Sequence, residues 1–447
     1  MALGGGTFTA QNKELAGTYT NFFSVAAASA SISDRGIATI PVEMDWGAEN
    51  EVITVTSEDF QKNSLKIFGY AYVDDKMKGL RDLFMNIITL YTYRLNGGGV
   101  KASNTYATAK YSGTRGNDIK IKIAANVDNS SAWDVTTYLG TTIVDVQTVT
   151  AVNQLVANDY VTWKSFTLAA VAGAALTGGT NGTITNASHQ AYLDKIESYR
   201  YNAMGVITTD NSVKALYAAF TKRLRDEMGI KFQLVVYNYA SADFMGVISV
   251  ENKVLDGAYL SEDETPVMVY PNEAAAVYWT LGAEAGCAVN ASVQNRTYNG
   301  EFTIDVDYTQ AQLIAAKKAG KFIFHKVDDN INVLEDINTM VTTSDNMGDI
   351  FKDNQTIRVI DELANSSAQV FNTKYLGKVP NDATGRSALW NDLVKIRKQL
   401  QDLRAIENFR DTDIQVEQGD TKKAVVVSEA ITVVNAMSQM YMTTTIA

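Results

Sequence analysis

Met204-Gly205-Val206-Ile207, then Thr209-Asp210-Asn211, then an amphipathic run to Gly229, then Leu234-Val235-Val236-Tyr237: this stretch decides the fold. Its two apolar quartets are short, lack helical length, and read as buried strands. Between them Val213, Leu216, Tyr217, Phe220, Leu224 and Met228 recur on one helical face. Thr209, Asp210 and Asn211 offer N-caps, and Gly229 closes the helix at C′. Strand, helix and strand at this spacing form a βαβ unit, which implies a parallel pair and a right-handed crossover.

Working outward, the same texture recurs. Pro266-Val267-Met268-Val269-Tyr270 reads as the next strand and precedes an Ala-rich helix beginning near Glu273. A helix from about Gln310 to Ala319 ends at Gly320, and Lys321-Phe322-Ile323-Phe324-His325 follows as a strand. Upstream, Glu51-Val52-Ile53-Thr54-Val55-Thr56 alternates, and Ser57 with Glu58 and Asp59 caps a short helix. Leu80, Leu83, Phe84 and Ile87 share a helical face, and Leu90 to Leu95 is a strand stopped by Asn96-Gly97-Gly98-Gly99. A doubly wound α/β sheet is the natural assembly of these pieces.

Between them the composition changes. From Asn129 to His189 the only charged residues are Asp134, Asp145, Asp159 and Lys164, while Thr, Val, Ala and Gly dominate. Lys120 to Ile123 and Ile143 to Val149 alternate, and Gly113-Thr114-Arg115-Gly116-Asn117 is a turn signal. This region reads as an all-β sandwich inserted into the α/β core. The expected organisation is an N-terminal arm over 1–30 and core over 31–98. The β-sandwich insertion follows over 99–182, the second part of the core over 183–330, and an α+β C-terminal domain over 331–447. In that last domain one helix runs from about Gln355 to Tyr375. A second begins near Ser387 with Leu389, Leu393, Ile396, Leu400 and Leu403 in a narrow seam. Two readings of this second helix stay open: packing on its own domain, or an interaction surface with a basic face formed by Lys395, Arg397, Lys398 and Arg404. Strands follow at Lys423 to Val427, Ala430 to Val434 and Tyr441 to Ile446.

Both chain ends look like strands without partners. Thr7-Phe8-Thr9 and Gly17-Thr18-Tyr19-Thr20-Asn21-Phe22-Phe23 are Thr-rich and aromatic, with no hairpin mate nearby. Such strands must pair with something distant or with another chain.

The 447 residues carry a formal charge of −11 and 46% hydrophobic residues. That balance suits packed cores and is poor for general nucleic-acid binding, which rests on Lys and Arg neutralising phosphates. Met1-Ala2-Leu3-Gly4-Gly5-Gly6 lacks the basic and apolar regions of a secretory signal, so synthesis in the cytoplasm is expected. Leu168 to Leu176 is too short to span a bilayer. Chemistry is scarce. His189 and His325 are the histidines and Cys287 the lone cysteine. No Gly-x-Ser-x-Gly elbow, P-loop or dinucleotide fingerprint is present. One Cys and two His cannot supply a usual zinc site, so no catalytic residue, cofactor or metal is expected. Asp328-Asp329 with Glu335-Asp336 reads as a solvated acidic surface.

Four segments resemble the tail sheath family of contractile phages and phage-derived particles, nearest to sheaths from Gram-positive hosts. The first runs through Gly4-Gly5-Gly6-Thr7-Phe8-Thr9 and Gly17 to Phe22, on through Ser33-Asp34-Arg35-Gly36-Ile37 to Glu43-Met44-Asp45-Trp46-Gly47. The second is Tyr111-Ser112-Gly113-Thr114-Arg115-Gly116-Asn117-Asp118-Ile119, similar to the start of the family's β-sandwich. The third is the α/β core with strands at Gly300 to Asp307 and Phe322 to Lys326. The fourth is Asn435-Ala436-Met437-Ser438-Gln439-Met440-Tyr441-Met442-Thr443.

The resemblance implies a subtilisin-like core without proteolysis and a structural subunit that polymerises helically around an inner tube. Contraction of that sheath drives the tube through a cell envelope. It further implies arms that complete neighbouring sheets, placed at Thr18, Tyr19, Thr20, Asn21, Phe22, Phe23 and at Tyr441, Met442, Thr443, Thr444, Thr445, Ile446. Tube contact is expected at Lys395, Arg397, Lys398 and Arg404. The implied partners are further copies of the chain, the tube protein, and baseplate and terminator proteins, within a tail particle; nucleic acid and membrane insertion are not implied. The rival readings are an α/β hydrolase-like enzyme and another self-assembling surface or tail protein.

Overall fold

Strand β1 (Ile37–Val42) is buried along nearly its whole length because it lies inside a sheet, hydrogen-bonded on both sides. The computed structural model describes residues 35–256, 258–260, 266–268 and 273–446. Its central sheet has seven strands, ordered Lys321–Phe322 (β15), Val247–Val250 (β12), Gln233–Tyr237 (β11), Ala203–Val206 (β10), β1, Thr89–Arg94 (β3) and Val52–Thr56 (β2). All neighbours are parallel except β2 on β3. The β10–β11 pair is the parallel pair expected from the deciding stretch, with Met204 opposite Leu234 and Val206 opposite Val236. Between them helix α4 (Asn211–Asp226) starts at Asp210, whose carboxylate accepts the Ser212 N–H.

Each face of the sheet has its own core. Leu234 and Val236 join Tyr217, Phe220 and Leu224 of α4 and Tyr192, Leu193 and Ile196 of α3 (Asn186–Ile196). Val235 and Tyr237 point the other way, as strand alternation requires. They pack with Phe60 of α1 (Ser57–Phe68), Leu80 and Leu83 of α2 (Lys78–Phe84) and Trp279 of α5 (Ala276–Gly286). Helix α5 is buried all round, Ala276 through Ala285, which explains its nearly continuous apolar sequence. A Cβ on Gly282 would lie 2.5 Å from the Leu83 carbonyl oxygen, so glycine is what lets α5 lie against α2.

Four sequence expectations change. The segment beginning at Pro266 is not the next core strand: Pro266–Met268 (β14) pairs antiparallel with Ala258–Leu260 (β13) in a separate hairpin. The sheet is extended instead by β12, whose short Val-Ile-Ser-Val run carries a weak apolar signal. Lys321 to His325 divides at Ile323: β15 closes the large sheet, whereas Phe324–Val327 (β16) forms a hairpin with Asn330–Val333 (β17). Gly300 to Asp307 contributes one bridge, Val254 to Ile304, and no strand. At α1 the cap is Thr56, bonded reciprocally with Asp59, one residue before the expected Ser57. Helix α6 (Gln310–Lys318) ends where expected, at a Gly320 of positive φ.

The insertion holds a four-stranded antiparallel sheet, Thr142–Val149 (β7), Trp133–Leu139 (β6), Ile119–Ala125 (β5) and Val171–Ala175 (β9). The pair Ala107–Ala109 (β4) and Val161–Trp163 (β8) packs on it. Ile119, Ile121 and Ile123 face inward while Lys120 and Lys122 face solvent, the alternation read from the sequence. After the core come α7 (Asn354–Val370), continued by a π turn at Phe371–Tyr375, and α8 (Ala383–Asp402). The pairs Ile406–Glu407 (β18) with Thr432–Val433 (β21), and Ile414–Gln418 (β19) with Val425–Glu429 (β20), complete the chain.

Candidate functional site

Helix α7 begins inside the protein. Asp353 caps it by accepting the Thr356 N–H, and residues Asn354 to Val359 are all buried. Its amphipathic face carries two charges at i and i+3, Arg358 and Asp361, and both meet opposite charge in the α/β core. Arg358 pairs with Glu284 of α5 and with Asp336, and donates to the Ala291 carbonyl. Asp361 receives a bidentate pair from Arg225 of α4 at 2.6 and 2.7 Å. Burial pushes the Glu284 carboxyl well above its ordinary range, Asp336 adds to that rise, and Arg358 opposes it. At Asp336 burial also raises, but Arg358 outweighs it and the carboxyl stays low. Losing one member of such a buried group strands the others without compensation, so α7 is fixed to the core.

A second fixed joint holds the β-sandwich. The entering and leaving segments of chain bond to each other: Val100 N–H to Thr180 O at 3.1 Å, Thr180 N–H to Val100 O at 3.0 Å, and Gly182 N–H to Asn96 O at 2.9 Å. Buried Arg94 donates to the carbonyls of Ser112 and Gly47. Asp45 accepts Tyr70 Oη at 2.5 Å, Asn181 Nδ2 at 2.7 Å and Lys76. Burial raises that carboxyl, but these three donors together pull it far below the usual carboxylate range. Gly113 sits at φ +128°, and a Cβ there would lie 1.9 Å from the Asp45 carbonyl oxygen. Trp46 and Tyr111 meet edge to face, 5.2 Å between centroids. Two of the sequence segments singled out above, 43–47 and 111–119, therefore meet in this seam.

The C-terminal rim is built differently. Helices α7 and α8 and strand β20 enclose an open groove of about 430 Å³, lined by Leu363, Ala364, Phe371, Leu389, Leu393 and Val427. Strands β19 and β20 pair only with each other among the described residues, so β20 presents an edge with Val426 and Val427 exposed. Beyond β21 the chain is pinned to the start of α7. Gln355 donates to Val434 O and accepts the Ala436 N–H at 2.9 Å, and Asn435 bonds Thr356. Residues 437–446 then run free of secondary structure, with Met437, Met440, Tyr441, Met442 and Ile446 almost fully exposed. The strand expected at Tyr441 to Ile446, including Thr443, Thr444 and Thr445, is thus not formed among the described residues. A lone extended segment has no ladder to join. Thr18 to Phe23 lie outside the described residues.

The basic residues of α8 separate. Lys395 is exposed beside Asp392, Lys398 pairs with Asp411 at the surface, and Arg404 is exposed just past the helix end at φ 60°. Arg397 corrects the expectation of a surface position: its side chain is 2% exposed and grips Glu429 of β20 with two 2.8 Å bonds, with Ser367 of α7 as a third partner. It falls on the buried side because it stands one turn after Leu393 and one before Leu400. The Leu seam itself packs on α7 and β19 within the domain.

Known proteins share this architecture. Residues 35–95 match the tail sheath protein Gp18 domain III N-terminal region, and 97–181 the phage tail sheath β-sandwich domain. Residues 182–339 match the phage tail sheath central domain and 347–447 its C-terminal domain. The phage-like element PBSX protein XkdK of Bacillus subtilis is 32% identical, over 98% of this chain and 99% of that one. This chain belongs to the phage tail sheath family. A sheath tail protein of Desulfitobacterium hafniense is 33% identical and superposes with a TM-score of 0.77, covering 94% of this chain and 100% of that one. The sheath tail protein of Listeria innocua is 28% identical with a TM-score of 0.76, covering 92% and 95%. The contracted helical sheath of the anti-feeding prophage, 12% identical with a TM-score of 0.56 over 97% and 99%, shares the fold.

The protein is a structural subunit of a contractile tail sheath. Its few chemically capable side chains have structural partners. His189 Nδ1 meets Tyr217 Oη at 3.0 Å in the core, and burial lowers its pKa, so the imidazole stays neutral. Cys287 is buried, which pushes its thiol up and keeps it unreactive. Among the described residues no cluster of His, Cys, Asp or Glu could hold a metal, and no helix is long and apolar enough to cross a membrane.

Sequence reading missed both fixed joints. Arg358, Asp361, Arg225 and Glu284 are ordinary charges at helical spacing, and only the fold brings them together. Glu284 left one trace, as the sole charge in the apolar run from Ala274 to Val289.

Proposed function

We propose that copies of this subunit polymerise helically around an inner tube and are tied together by strand addition at the C-terminal rim. The supporting observation is the juxtaposition of the free β20 edge, the apolar groove beside it, and an exposed tail rooted at Gln355. In extended form the tail alternates: Met440, Met442, Thr444 and Ile446 face one side, Gln439, Tyr441, Thr443 and Thr445 the other. That is the pattern of a half-buried strand in search of a sheet. Residues 18–23 are the second linking arm in this reading. Each backbone bond so formed adds about 0.5–1.5 kcal/mol, so one arm supplies several kcal/mol. A head-to-tail contact that does not close gives a helical array.

The remaining assignments follow the same reading. The arms, the subtilisin-type core (31–98 and 183–330), the sandwich (99–182) and the C-terminal domain (331–447) are its functional parts. The core performs no proteolysis, in keeping with a histidine locked onto Tyr217. Lys395, Lys398 and Arg404 face the tube. Partners are further copies, the tube, and baseplate and terminator proteins, with the subunit made in the host cytoplasm and built into a tail particle. Rigid internal joints let whole subunits slide past one another while strand links persist.

Negative-stain microscopy of the full chain beside a chain lacking residues 437–446 tests the proposal. Helical tubes from the first and monomers from the second are expected. Tubes of equal yield from both would end the case for the tail as a link.

A further inference from the structure

We infer that Met440 and Met442 form an oxidation-sensitive site controlling whether a free subunit can enter the sheath. The inference rests on the reading of residues 437–446 as a linking strand. Among the 13 methionines of the chain, these two are 84% and 77% exposed, just beyond the last bonds that hold the tail. They stand two residues apart, on the same side of an extended backbone as Ile446. Met437 is equally exposed but lies on the opposite side, with Gln439 and Tyr441.

A free thioether this open reacts with a two-electron oxidant such as hydrogen peroxide. The sulfur takes up one oxygen atom, losing two electrons, and the peroxide is reduced to water. The product is a polar sulfoxide on the side of the strand that must be covered. Buried against an apolar surface of the kind beside β20, its oxygen has no donor; Arg397, the nearby cation, is already committed to Glu429 and Ser367. Oxidation therefore acts on unassembled subunits. Strand addition shields the same sulfurs, so a finished sheath is spared. Methionine sulfoxide reductases reverse the change and return the subunit to the assembly pool.

The test uses the full chain, treated with hydrogen peroxide until mass spectrometry shows sulfoxide at both residues, then scored for tube formation. The oxidised chain is expected to assemble about tenfold more slowly or worse, because a polar group is buried unpaired. Met440→Leu with Met442→Leu removes both sulfurs, so its assembly rate before peroxide is its own baseline and should not change after peroxide. Met437→Leu should remain sensitive. Reductase treatment should restore the wild-type chain. Normal assembly of the doubly oxidised chain overturns the inference, as does equal peroxide sensitivity of the Leu double variant. The parent reading fails separately, if the chain lacking 437–446 assembles like the full one.

Discussion

The root of α7 and the C-terminal rim, two ends of one domain, are built on opposite rules. At the root, buried charges on α7 meet opposite ones: Arg358 on Glu284 and Asp336, and Asp361 on Arg225. At the rim, β20 shows a bare edge, the groove beside it is open, and the tail exposes large apolar side chains. Exposed apolar surface of this kind marks an interaction site. The difference separates two jobs. A sheath subunit must transmit force without deforming, and must remain incomplete until it meets another copy. The first job uses buried internal charge pairs; the second needs open external edges.

That contrast can be broken at its strongest point. Arg358→Ala leaves Glu284 and Asp336 facing each other in the interior, and should cost about 3–5 kcal/mol in chemical denaturation. Deleting residues 437–446 should move stability by no more than about 0.5 kcal/mol, the range of exposed sites, while abolishing tubes. Equal stability losses from the two changes would erase the distinction. Next in size is the sandwich seam. Gly113→Ala forces a Cβ onto the Asp45 carbonyl at a φ that favours glycine, and should cost about 2–3 kcal/mol. Proteolysis should then release the 97–181 region before the core unfolds.

Legibility divided along the same line. The βαβ unit at 204–237 was readable because strand and helix periodicities are local properties, and so were α8 with its Leu seam and the alternation of β5. The strand β12 was not, since Val-Ile-Ser-Val is too short to stand out from a loop. The strand beginning at Pro266 is real but lies outside the large sheet, because a Pro-led apolar run suits an edge hairpin as well as a core strand. The joints at Arg358 and Arg94 were illegible because their partners lie far away in sequence. Arg397 shows the same limit at close range. Its basic character suggested a surface, but its place between Leu393 and Leu400 on the helix put it inside. The tail was legible as a strand needing a partner, yet among the described residues it pairs with none.

A smaller effect sharpens the rim itself. Arg397→Ala removes the two bonds to Glu429 and the one to Ser367, and should cost about 1–3 kcal/mol by loosening β20 from α8. Replacing Lys395 and Lys398 with Ala should leave thermal stability within about 0.5–1 kcal/mol, because exposed pairs contribute little. Tube binding measured on the same double variant should weaken if those lysines face the tube. Unchanged tube binding would move that contact elsewhere on the domain.

The last predicted effect concerns pH and belongs to the rigid side. Asp82 on α2 is buried, accepts the Glu301 N–H at 2.8 Å, and meets Tyr298 Oη at 3.0 Å. Burial pushes its carboxyl up to about 6, against the lowering effect of those two bonds. The folded chain therefore holds this proton more tightly than the unfolded chain, whose aspartate titrates near its usual value of about 3.9. Stability from this group is complete below that value and declines as pH rises through about 6. Asp82→Asn keeps both contacts, its carbonyl accepting from Glu301 and its amide donating to Tyr298, without a charge to bury. The variant should match the wild type at pH 5 and exceed it by about 1–2 kcal/mol at pH 7.5. The stability difference must grow across that interval, as read from denaturation curves at each pH. A difference independent of pH would mean that Asp82 ionises normally in the folded protein.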